Sequence, residues 1–63
     1  MRLTKMKLRR LERGFLQVEL AHRANIARCR LSELENGHIE PRPDEIERLA
    51  SALNVSVESL VAE

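Results

Sequence analysis

The chain has 63 residues, 43% of them hydrophobic and 33% charged, with a net charge of +1, one aromatic residue (Phe15) and one cysteine (Cys29). A domain this small has room for one core. A catalytic cleft of the usual ligand-pocket size, roughly 300 Å3 or more, does not fit beside it. A lone cysteine excludes an internal disulfide framework, and no apolar run is long enough for a membrane span or a signal-peptide core. These figures lead to a single cytoplasmic domain over residues 1–63, with no cofactor.

Helical spacing dominates, and Gly14, Gly37, Pro41 and Pro43 divide the chain into helix-length pieces. The first helix is expected from about Thr4 to Arg13, stopped by Gly14, with Leu8 and Leu11 turned inward, Phe15 beyond its end and Met6 open to either side. The second, from about Gln17 to Ala24, faces Leu20, Ala21 and Ala24 inward. Asn25 can adopt the left-handed conformation that ends it. A three-residue connection, Asn25-Ile26-Ala27, leads to a third helix from Arg28 to about Asn36, ended by Gly37. The fourth starts at Pro43, which suits a first helical position, and Asp44 and Glu45 complement its dipole. Ile46, Leu49, Ala50 and Leu53 keep the i, i+3, i+4, i+7 spacing of an inner face. After Asn54, Ser56 is placed to cap a fifth, short helix with Val57, Leu60 and Val61 along its apolar edge.

The near-zero net charge conceals an asymmetry. Residues 1–30 carry nine basic side chains against two acids, a balance of +7, and residues 31–63 carry two against eight, a balance of −6. Such a division is a hint of a polyanion-binding face, although charges on solvated helix surfaces would give the same counts.

The third helix helps to decide between the two. At 100° per residue from Arg28, Leu31 and Leu34 point to about 300° and 240° and define the buried direction. Arg28, Ser32, Asn36, Cys29 and Glu33 occupy the opposite side, between about 0° and 140°, and Arg30 and Glu35 flank the buried stripe at about 200° and 340°. Two helices joined by a three-residue turn, the second presenting polar groups outward, match the helix-turn-helix geometry in which a recognition helix enters the major groove. An arginine near that helix's start can pair bidentately with guanine O6 and N7.

Other chemistry finds less support. His22, His38 and Cys29 are the only soft metal ligands and lack the pairwise spacing of a zinc site, so no metal is expected. Cys29, flanked by Arg28 and Arg30, admits a redox-sensor reading, but a small side chain against a base edge is the simpler one. A single inward aromatic offers no stacking platform for single-stranded nucleic acid.

The run Gln17-Val18-Glu19-Leu20-Ala21, then Asn25-Ile26, then Leu31-Ser32-Glu33-Leu34-Glu35-Asn36-Gly37, resembles the Cro/C1-type (XRE) helix-turn-helix family of phage repressors. Leu49 to Val57 looks like that family's fourth-to-fifth-helix segment, so the resemblance covers about residues 6–61. It implies an all-α, five-helix, lambda-repressor-like domain whose helices 2 and 3 form the helix-turn-helix. By the same resemblance, Arg28, Cys29, Ser32 and Glu33 would meet base edges. Gln17 and Asn36 would hold the phosphate backbone, with Arg30, Arg42 and His38 as further phosphate candidates. Arg10 and Glu35 match a structural ion pair between the first and third helices.

The chain also departs from the family pattern. Leu16 and Ala27 stand where small polar caps are usual, each omission costing on the order of 1 kcal/mol. The segment His38-Ile39-Glu40 is not basic, Glu33 can repel phosphates, and Arg9 stands where many members are apolar. Specific binding is therefore expected to be weaker and less salt-sensitive than in a strongly basic repressor.

The resulting expectation is a transcriptional regulator that binds double-stranded DNA as a homodimer. The dimer contact would use Val57, Leu60, Val61 and Ile39. With Met1 at the start and an end just after the fifth helix, these residues are expected to include no separate sensor or dimerisation domain, and in an excised domain the sensor would lie elsewhere. The competing expectation is a protein-interaction adapter or antirepressor that keeps the fold without strong DNA binding.

Overall fold

A computed structural model describes residues 3–61. Four α-helices follow in order, α1 (Met6–Glu12), α2 (Gln17–Arg23), α3 (Arg28–Glu35) and α4 (Pro43–Leu53), and then one 3-10 turn, Val57–Leu60. Among the described residues there is no strand. The all-α expectation stands, but the expected fifth α-helix is a correction. Its place is taken by a four-residue 3-10 turn, with Ser56 extended before it and Val61 extended after it. Too few residues lie between Ser56 and Val61 to close several i→i+4 bonds, and the tighter i→i+3 turn takes over.

All four helices stop in the same way. A residue with positive φ follows each one: Gly14 at 73°, Asn25 at 55°, Gly37 at 73° and Asn54 at 56°. The next amide then reaches back into the last turn. Phe15 N–H donates to Arg10 C=O at 3.1 Å, Ile26 to Ala21 at 2.9 Å, His38 to Glu33 at 3.0 Å and Val55 to Ala50 at 3.0 Å. This bond satisfies a carbonyl that the helix would otherwise leave open, and it turns the chain sharply into the next element.

The core is built from every element. Leu20, Ala21 and Ala24 of the α2 segment, Ile26 of the turn, Leu31 and Leu34 of α3, and Ile46, Leu49, Ala50 and Leu53 of α4 are all buried. Leu3, Met6 and Leu60 close it from the two ends of the chain. Three further bonds bring those ends together. Lys5 N–H donates to Leu60 C=O at 3.1 Å, Arg9 Nε to Ser59 C=O at 3.2 Å, and Arg13 Nη2 to Asn54 C=O at 3.2 Å.

The first helix has a different inner face from the one expected. Leu8 and Leu11 are 52% and 57% exposed, and Met6 and Arg10 are buried instead. The two sets cannot both face inward, because Leu8 lies about 160° around the helix from Arg10. Arg10 prevails because its guanidinium is fully used inside the fold, and Leu3 and Met6 supply the apolar contacts that Leu8 and Leu11 do not.

Candidate nucleic-acid interface

The candidate residues gather where α2 and α3 meet. Leu20 and Ala21 on α2 and Leu31 and Leu34 on α3 share the core, and the left-handed Asn25 folds the chain tightly enough for buried Ile26 to fill the corner. Burying those four side chains turns the opposite side of α3 to solvent. Arg28, Cys29, Glu33 and Asn36 are exposed there, and Ser32 is partly so. Gln17 at the start of α2 and Arg28, Cys29 and Ser32 on α3 line one shallow, open cleft.

The first turn of α3 differs from those of α2 and α4. At α2, Glu19 Oε1 accepts from the Leu16 N–H at 2.9 Å. At α4, Glu45 Oε1 accepts from the Arg42 N–H at 2.8 Å. These are the carboxylate halves of capping boxes, which partly compensate for the missing cap hydroxyls. At α3 the capping residue is Ala27, no side chain caps the helix, and its first turn contains no acid. Its leading amides therefore keep their positive end toward the cleft.

Two ion pairs hold α3 from either side. The Glu35 side chain is 3% exposed. It accepts from Arg10 Nε at 2.7 Å and Nη2 at 3.3 Å, and from Gln17 Nε2 at 3.1 Å. Arg10 Nη1 also donates to Phe15 C=O at 2.8 Å. Buried Arg10 thus binds the last turn of α3 and the loop after α1, and Glu35 in turn binds the first turn of α2. Because Glu35 is a pure acceptor, the Gln17 amide must present its nitrogen inward, which fixes the flip of that side chain.

The second pair joins Arg30 to Glu45. Arg30 Nε and Nη2 donate to the two Glu45 carboxylate oxygens at 2.5 Å and 2.8 Å. The Arg30 hydrogen bonds, reinforced by the Arg42 amide, hold the Glu45 carboxyl down to about 2 against an ordinary 4.5, while burial works in the opposite direction. The same pairing raises the Arg30 pKa. Arg30, a phosphate candidate, turns Nε and Nη2 onto α4, and a third of its side chain stays exposed.

Arg42, His38 and Asn36 are exposed at the end of α3 and the start of α4. Ile39, Val57 and Val61 are half-buried against the core. Leu60, expected at a dimer surface, has no exposed area and belongs to the core. Two contacts could not be foreseen from helical spacing, namely the bridge from Arg30 to Glu45 and the Arg48 Nε bond to Ala24 C=O at 2.9 Å, which ties α4 to the end of α2. Each depends on how two distant helices cross. Among the described residues, no group of His, Cys, Asp and Glu side chains is placed to hold a metal ion, and no helix is long and apolar enough to cross a membrane.

A family model described as helix-turn-helix matches residues 6–60. The chain belongs to the Cro/C1-type helix-turn-helix family. That family is one of DNA-binding regulators and not of enzymes. Within it, the chain is 36% identical over 59 residues to the immunity repressor protein of Bacillus phage phi105. The match covers 94% of this chain and 41% of that relative's length. No solved structure matches the chain at the same stringency. In this Cro/C1-type domain the matched residues run from the start of α1 to the end of the 3-10 turn.

Proposed function

We propose that this domain is a sequence-specific regulator of transcription that sets α3 into the major groove of duplex DNA. The observation that carries the reading is the cleft shared by Gln17, Arg28, Cys29 and Ser32, in which a backbone-contact candidate and three base-reading candidates lie on one open surface. Arg28 would pair with a guanine edge. Cys29 and Ser32 are short enough to let the helix approach the bases, and Glu33 would accept from a cytosine N4 amine. The second hydrogen of the Gln17 amide, left over from its bond to Glu35, and the uncapped start of α3 suit one phosphate strand, and Asn36, His38 and Arg42 suit the other. The similarity to an immunity repressor favours repression over activation.

One such helix reads only a few base pairs. Useful affinity then calls for a homodimer on a pseudo-palindromic operator, with half-sites about 34–36 Å apart. Val57, Val61 and Ile39, half-buried on one protomer, are the residues proposed to meet their symmetry mates.

Fluorescence anisotropy with duplexes enriched from a random pool tests the reading across about 50–200 mM salt, where log affinity should fall linearly with log salt. No binding at the lowest salt would leave the protein-interaction alternative in its place. Arg28→Ala should relax selectivity by about 1–3 kcal/mol at one base pair, and Gln17→Ala should weaken all duplexes about equally. Unchanged selectivity in Arg28→Ala would remove Arg28 from the base-reading set.

A further inference from the structure

Only two large apolar side chains, Leu31 and Leu34, anchor α3. They lie about 60° apart around the helix, so they fix its distance from α2 far better than its rotation about its own axis. Rotation is what a recognition helix has to control. A turn of about 20° at the radius of a side-chain tip moves it by about 2 Å or more, enough to break a bidentate contact with a base. The two ion-paired residues of α3 sit where they can resist that turn. Arg30 and Glu35 flank the buried direction by about 70° on opposite sides. Arg30 is held by Glu45 of α4, and Glu35 by Arg10 of α1.

From this geometry we infer that Glu45 is a positioning residue for DNA recognition: through Arg30 it fixes the rotation of α3 and hence which base edges Arg28, Ser32 and Glu33 reach. Glu45 is well prepared for this. It is buried, its carboxylate is oriented by the Arg42 amide at 2.8 Å, and both of its oxygens receive the planar Arg30 fork. A planar, two-point contact resists rotation in a way that a single bond to a lysine would not. The inference rests on reading α3 as the recognition helix, and wild-type binding at low salt tests that reading separately.

The experiment compares wild type, Arg30→Gln, Glu45→Gln, the double variant and Arg30→Lys for binding to a selected duplex and to an unrelated one. Circular dichroism sets a temperature at which each protein is folded. Each single neutral variant should lower the ratio of specific to unrelated affinity by about tenfold, with most of the loss on the selected duplex. The double variant should lose no more than either single one, because both remove the same restraint. Arg30→Lys keeps the charge and the fold, so it should show an intermediate loss even if a neutral variant fails to fold. An unchanged ratio in Glu45→Gln and Arg30→Lys would overturn the inference. So would opposite effects on the unrelated duplex, tighter for Glu45→Gln and weaker for Arg30→Gln, since that pattern would make Arg30 a phosphate contact that Glu45 restrains.

Discussion

At the scale of single residues, two buried carboxylates do most of the organising. Glu35 has almost no contact with solvent, and its partner Arg10 has little more. Glu35→Gln would leave the buried Arg10 charge without its counter-ion and should cost about 3–5 kcal/mol, read as a lower urea midpoint. Replacing both partners with apolar residues of similar volume should cost much less, and equal costs would show that the pairing is unimportant. Glu45 makes a prediction about acid. Its folded pKa of about 2 lies below the ordinary 4.5, so the ionised form favours the folded state. That contribution is complete above about pH 4.5 and is lost as pH falls toward 2. The stability gap between wild type and Glu45→Gln should therefore narrow through that window. A gap that stays constant from pH 7 to pH 2.5 would contradict the assignment.

At the scale of helices, the stops were easier to read than the faces. Gly14, Asn25, Gly37 and Asn54 mark the ends in the sequence because few other residues tolerate a positive φ. The α4 stripe was equally legible, since Ile46, Leu49, Ala50 and Leu53 leave one apolar side. The inner side of α1 was not, because hydrophobicity favours Leu8 and Leu11 while an ion pair made 25 residues away requires Arg10. Family resemblance carried the Arg10–Glu35 pair, but no local pattern announces a bridge such as Arg30–Glu45, whose partners lie 15 residues apart on two helices. The start of α3 offers a direct check of capping. Ala27 already has the extended backbone of a capping residue, at φ −61° and ψ 139°, but its side chain has no acceptor. Ala27→Ser should raise stability by about 1 kcal/mol, measured by thermal or urea unfolding, and no gain would mean that the first-turn amides are already satisfied.

For the molecule as a whole, the +7 and −6 halves are folded into each other, and part of the basic charge is consumed in doing so. Arg10 and Arg30 are matched internally, and Arg23 lies 4.7 Å above the Phe15 ring. Fewer cations remain for a polyanion than the count for residues 1–30 suggests. The core closes only when Leu60 reaches it, and Leu60→Ala should cost about 2–5 kcal/mol, as large-to-small changes in a packed interior do. A loss below 1 kcal/mol would mean that the 3-10 turn is an ornament. The bond from Lys5 to Leu60 carries a consequence for synthesis. A ribosome makes α1 first, yet the segment that shields Met6 and receives the Lys5 amide is made more than 50 residues later. The packing of α1 is thus completed only after the 3-10 turn has been made, and the domain cannot close in the order in which it is made.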